Sequence, residues 1–89
     1  MLIPITLNKF EKDLKLYKKS GKDLGKLRLV MSLLINEDKL PKRLNDHVLI
    51  GNYEGRRECH IEPDWLLIYH IKADAIIFER TGSHSDLFK

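Results

Sequence analysis

The spacing of apolar residues changes once along the chain, and that change limits the folds open to it. Phe10, Leu14 and Tyr17, then Leu24, Leu27, Val30, Met31 and Leu34, recur at helical intervals, which predicts two helices separated at Gly21. Each carries one apolar stripe, as an antiparallel pair lying on a sheet needs. Ahead of them "LIPIT" predicts a short edge strand, because Pro4 has no N–H to give to a ladder. "EDKLPKRLNDH" reads as a loop in which Pro41 stops further helix. From Val48 onward the pattern is that of strands, "HVLIGNY", "GRRECHIE", "DWLLIYHI" and "AIIFER", with turns at Gly51 to Gly55, Pro63 to Asp64 and Lys72 to Asp74. Connections this short join antiparallel neighbours. The expectation is an α+β fold: an N-terminal strand, a two-helix hairpin against one face of an antiparallel sheet, and the opposite face left free for a ligand.

With 89 residues there is enough chain for one core and too little for two, so residues 1–89 are expected to form a single domain. The single cysteine, Cys59, excludes an internal disulfide and a thiolate metal cluster, and suits a reducing compartment. "MLIPITLNKF" lacks the basic start and long apolar run of a signal peptide, and no stretch approaches the roughly 20 apolar residues that span a bilayer. A cytoplasmic protein with no membrane partner is expected. The net charge of +3 is a mild bias toward polyanions or an acidic protein. Most of the basic residues of the first helices, Lys12 and Lys15 among them, would serve equally well as a solvated face.

The residues able to carry chemistry crowd into the second half: His47, Glu58, His60, Glu62, Asp64, Arg80 and His84. Alternation along a strand places Glu58, His60 and Glu62 on one side and Cys59 and Ile61 on the other. A half-solvated sheet would look the same, and His70 inside "LLIYHI" reads as structural. Metal ligation has little support, since HExxH and CxxC are absent and His60 with Glu62 would supply two ligands; no metal and no cofactor are expected. Ser83 beside His84 lacks the strained elbow of a serine nucleophile. Acid and base catalysis needs only a group to take a proton, one to give it, and a cation for the developing charge. On RNA the 2′-hydroxyl is an internal nucleophile already beside the phosphate. An aromatic such as Phe88 could stack on a neighbouring base.

"LNDHVLIGNYEGRRECHIEPDWLLIYHI" followed by "IIFERTGSHSDLF" resembles the YafQ branch of the RelE/ParE toxin superfamily, over residues 44 to 88. The resemblance implies a RelE-like fold and a messenger-RNA endonuclease that works on the ribosome and is held inactive by an acidic antitoxin. It places His47, His60, Asp64 and His84 on the branch's histidines and aspartate, Arg80 on its sheet arginine, Phe88 on its terminal aromatic, and Glu58 where relatives carry an acidic residue. Arg80 is then expected to face a phosphate, Gly82 to let the chain turn, and His84 to return over the sheet as the acid. Lys12, Lys15, Arg56 and Arg57 are expected to form the basic face for RNA and antitoxin. Trp65 and Pro63 are expected to serve packing and the turn. Two other functions stay open: a non-catalytic member of the fold acting on a protein such as gyrase, and a basic RNA-binding module.

Overall fold

Every residue from Trp65 to Tyr69 is buried, so the strand carrying them must be covered on both faces and paired on both edges. In the computed structural model, which describes residues 1–88, that strand is the centre of a five-stranded sheet. In chain order the elements are β1 (Ile3–Thr6), α1 (Asn8–Lys19), α2 (Leu24–Ile35), β2 (His47–Val48), β3 (Arg57–Glu62), β4 (Trp65–Lys72), β5 (Ala75–Gly82) and α3 (His84–Leu87). Short 3-10 turns occupy Lys42–Leu44 and Gly51–Tyr53.

The sheet order is β1-β5-β4-β3-β2. The three pairings among β2, β3, β4 and β5 are antiparallel, as their short turns require. β1 runs parallel to β5, so the sheet is mixed rather than wholly antiparallel. The reason is topological: α1 and α2 lie between β1 and the later strands, and a connection that long frees β1 from the direction a hairpin would impose. "HVLIGNY" contributes only His47 and Val48 to the sheet before Gly51, in the left-handed region at φ 79°, turns the chain into the 3-10 segment.

The helix pair covers one face. Phe10, Leu27, Val30 and Leu34 meet Trp65, Leu67, Tyr69, Ile76 and Phe78 in the main core. Phe10 lies 5.9 Å from Phe78, and Tyr17 lies 5.3 Å from Trp65. Each fully buried apolar side chain here contributes about 1.5–3 kcal/mol. α1 ends at Ser20 and Gly21, whose φ of 81° is the conformation that releases the chain toward α2. Asp23 then caps α2 by accepting from the Gly25 N–H at 2.9 Å.

The other face is not bare. Leu66 and Ile68 are buried beneath Leu87 of α3, with Leu49 and Tyr53 against them. Gly82 lies directly under this tail, where a Cβ would come within 3.3 Å of Leu87 Cδ2 and 3.4 Å of Asp86 Cβ. Its small size, rather than an unusual turn conformation, is what lets the chain fold back.

One buried polar relay crosses the core: Trp65 Nε1 donates to Thr81 Oγ1 at 2.9 Å, and Thr81 Oγ1 donates to the Leu66 carbonyl at 2.7 Å. Thr81→Val keeps the shape but strands the indole N–H, so it should destabilise the fold by about 1–3 kcal/mol. Urea unfolding followed by tryptophan fluorescence measures this; an unchanged midpoint would show that the relay contributes nothing net.

Candidate active site

Glu58 and His60 of β3 pair across β4 with Ile68 and Leu66, which fixes both on the face away from the helices. His47 of β2 sits opposite Glu58 in the ladder. α3, held down by Leu87, brings His84 over the same face. Three imidazoles therefore stand in a row, with ring centres 6.2 Å apart for His47 and His60 and 5.7 Å apart for His60 and His84.

A buried carboxylate lies beneath the row. Glu58 Oε2 is 2.9 Å from His47 Nε2 and 3.5 Å from His60 Nε2, and its side chain is 6% exposed against 43% and 22% for the two histidines. His47 Nδ1 lies 2.7 Å from the Asn45 carbonyl, which can only accept, so Nδ1 carries a hydrogen. A hydrogen bond from Nε2 to Glu58 then needs one proton beyond those of a neutral imidazole and an ionised carboxylate. Glu58 Oε1 is buried without a hydrogen-bond partner among the described residues.

His84 has a carboxylate of its own. Asp64, in the turn between β3 and β4, accepts from the His84 backbone N–H at 2.9 Å and lies 2.7 Å from His84 Nδ1. The backbone N–H first, and the ring second, hold the Asp64 carboxyl below the ordinary aspartate range. With Nδ1–H given to Asp64, His84 Nε2 is the atom left for a substrate. Phe88 follows, half-exposed, 6.3 Å from His84 and edge-on to Tyr53 at 5.6 Å. Tyr53 comes from the 3-10 turn, and its hydroxyl lies 3.4 Å from the Leu87 carbonyl. The two rings make an aromatic shelf beside the histidines, of which the sequence pointed only to Phe88.

The cations are placed differently from expectation. Arg80 is on the open face opposite Ile68, yet its Nε and Nη2 are bound by Asp13 of α1 at 2.8 and 3.1 Å. A bulge makes this possible: Ile68 pairs with Arg80 and Tyr69 with Phe78, leaving Glu79 as the extra residue. Asp13 reaches the part of β5 beyond β1 and also accepts the Thr81 N–H at 3.1 Å. It raises the Arg80 pKa further, with Tyr53 adding to the effect, so Arg80 is a fixed positive charge. Arg56 crosses the open face to Glu79 at 3.0 Å. Arg57 takes the opposite side, clamped to Asp46 at 2.9 Å beside Tyr69, whose hydroxyl donates to Asp46 at 2.5 Å. Successive residues at a strand start point opposite ways, so Arg56 and Arg57 do not build one basic face. Lys12 and Lys15 are exposed on α1 and make no ion pair among the described residues. The Asp46 clamp anchors the loop immediately before His47, a positioning contact with no motif to reveal it.

The remaining candidates have structural explanations. His70 Nδ1 lies 3.0 Å from the Gly55 carbonyl and steadies that turn. Glu62 departs from the expected alternation because the ladder shifts between His60 and Glu62; it turns to Lys26 at 3.0 Å and Lys22 at 3.2 Å, which lower its pKa in that order. Burial pushes the Cys59 thiol up to about 12, which removes it as a nucleophile. Glu58, His60 and His84 offer ligand atoms within 4.8 Å of one another, a set of three where the sequence suggested two from His60 and Glu62. With the unpartnered Glu58 Oε1, these residues could hold a transition-metal ion after small side-chain rotations.

Comparisons with known proteins agree on one family. The family described as the bacterial toxin of type II toxin–antitoxin systems, YafQ, matches residues 4–89. The mRNA interferase toxin YafQ of Escherichia coli (strain K12) is 48% identical over 80 residues, covering 89% of this chain and 87% of that protein. The toxin in the crystal structure of the E. coli DinJ–YafQ complex superposes with a TM-score of 0.93 at 42% identity over the whole of both chains. A metal-bound toxin from Helicobacter pylori superposes with a TM-score of 0.93 at 44% identity, covering 99% of this chain and 100% of that one.

The two contacts to Asp64 can be separated by titration. Carboxyl carbon NMR should show Asp64 titrating below the ordinary value of about 3.9, and His84→Ala should return it only partway, because the backbone N–H remains. Since the folded-state pKa is depressed, the contact supports the tail above the unfolded-state pKa and is lost as pH falls through the folded-state value. An Asp64 that titrates at its ordinary value in the wild-type protein would contradict this geometry.

Proposed function

The chain belongs to the YafQ family of bacterial type II toxins, and from that premise we propose that it is an mRNA-cleaving endoribonuclease whose reaction runs on its own histidines. The observation that carries the reading is the row of imidazoles backed by two carboxylates, one buried and one holding a ring tautomer. A pure binding module has no need of such an array, which disfavours the gyrase-directed and RNA-binding alternatives.

His60 takes the proton from the 2′-hydroxyl, and Glu58, 3.5 Å from its Nε2, stabilises the imidazolium that forms. The freed 2′-oxygen attacks the adjacent phosphorus and the bond from phosphorus to the 5′-oxygen breaks, leaving a 2′,3′-cyclic phosphate. His84, protonated at Nε2 and held through Nδ1 by Asp64, gives its proton to the departing 5′-oxygen. This is the orienting role that a carboxylate plays for a catalytic histidine elsewhere. His47 and Glu58 share a proton beside His60 and set the charge at that position. Arg80, immobilised by Asp13, provides positive charge for the phosphoryl oxygens. Phe88 on Tyr53 stacks on a base. Arg56, Lys12 and Lys15 contribute longer-range attraction to RNA.

Glu58, His60 and His84 fit an ion as well as a substrate, and an ion there would polarise a phosphoryl oxygen. It would also occupy the nitrogens used for proton transfer, so the two arrangements exclude each other. The partners of this reading are mRNA, the ribosome as the place of cleavage, and an acidic antitoxin that shields the basic surface in the cytoplasm. Addition of ribosomes to the cleavage assay should raise the rate, and a co-expressed acidic neighbour should suppress it.

Single-turnover cleavage of naked RNA at high protein concentration tests the mechanism. His84→Ala should lose roughly 10²–10⁴-fold in rate while melting near the wild-type temperature. Phe88→Ala should lose about 1–3 kcal/mol of substrate placement. Chelator should leave the wild-type rate largely intact; loss on chelation with rescue by zinc would establish the metal arrangement instead. The rate should fall at both acid and alkaline pH, because one group must be deprotonated while another keeps its proton. A flat profile from about pH 5 to 9 would remove both histidines from the rate-limiting step.

A further inference from the structure

β2 pairs with β3 only at Arg57 and Glu58, so from Cys59 onward this edge of the sheet has no strand beside it among the described residues. A cleft of about 530 Å³ occupies that position, between α2 and the 3-10 turn at Lys42–Leu44. Its walls are Leu44, Ile61 and Pro63, its rim carries Lys26 and Arg43, and His60 forms the end that opens onto the histidine row. A smaller cavity of about 190 Å³, lined by Leu29 and Val30, shares Lys26, Arg43, Leu44 and Ile61 with it. Glu62 on the rim is neutralised by Lys22 and Lys26. Arg43 is exposed and makes no ion pair among the described residues.

Apolar walls under a positive rim, at a volume within the range of small-molecule sites, suit a nucleotide: base and sugar against the walls, phosphate at the rim. Direction follows from the histidines. The aromatic shelf lies on the His84 side of the row, and the cleft lies at His60. With His60 receiving the 2′-hydroxyl proton, the nucleotide bearing that hydroxyl sits at the mouth of the cleft, and the strand leaves toward its 5′ end through it.

We propose that the cleft bounded by Arg43, Lys26, Leu44 and Ile61 is the subsite for the RNA segment on the 5′ side of the cut, with Arg43 its phosphate contact. The proposal rests on the nuclease reading above and adds a polarity to it. Arg43 touches none of the reacting atoms, so it acts on substrate binding and leaves the proton transfers alone.

The test uses oligonucleotides trimmed one residue at a time from either end around a mapped cut, with a matching set carrying a 2′-deoxy sugar at the cut for anisotropy. Removing a 5′-side nucleotide should weaken binding and kcat/KM of the wild-type protein by roughly tenfold, within the span of one stacking or phosphate contact. Arg43→Glu should remove that difference, raise KM without changing kcat or the pH profile, and lower the slope of binding against salt by about one. Arg43→Lys should recover part of the effect. Equal losses for both ends, a loss confined to the 3′ side, or binding indifferent to Arg43 would each overturn the subsite. If oligonucleotides bind through Arg43 but are never cut, the cleft stands as an RNA site and the nuclease reading falls.

Discussion

The site depends on β4 being apolar toward both sides of the sheet. Trp65, Leu67 and Tyr69 face the helices, and Leu66 and Ile68 face away from them. Leaving the second pair in water would forgo about 1.5–3 kcal/mol for each side chain. The tail beyond β5 meets that need: Leu87 covers the pair, and Gly82 is small enough to let it do so. His84 and Phe88 are carried over the sheet by the same contact. A residue that packs thus determines where residues with chemistry are found.

Carboxylates do most of the positioning. Asp13 holds Arg80, Asp46 holds the loop before His47, Asp64 holds His84, and Glu58 lies under His47 and His60. Such pairs are worth little where both members are exposed. Their value here is directional: Asp13 fixes the guanidinium of Arg80 and Asp64 fixes which nitrogen of His84 meets the open face. The net charge of +3 is therefore a poor guide to where an anion binds, because Arg57, Arg80 and Arg56 are already paired while Arg43 stands at the rim of a cleft.

Glu58 joins the two halves of the site. Desolvating an ionised carboxylate is costly unless it is paired, and the histidines on either side stand 2.9 and 3.5 Å from it. The same group would suit a metal ion. The proposed acid–base chemistry and metal binding would draw on the same three side chains, so the two would exclude each other.

Much of this was legible without coordinates, for reasons of local geometry. The helical spacing of Phe10 through Leu34 and the strand character after Val48 follow from backbone periodicity, and alternation on β3 alone separates Glu58 and His60 from Cys59. That His47, His60, Asp64, His84 and Phe88 crowd into the second half was plain from composition, and their resemblance to a known motif is what marked them as one site. Tertiary structure decided the rest, because it turns on contacts between residues far apart in sequence. The parallel direction of β1 depends on where the helix pair docks. Asp13 reaches Arg80, and Asp46 reaches Arg57 and Tyr69, across 67, 11 and 23 residues. No period marks such partners. A bulge at Glu79 and a ladder shift before Glu62 change which face a residue joins by displacing the chain a single position, and alternation cannot foresee either, since both arise from what the neighbouring strand and helix require.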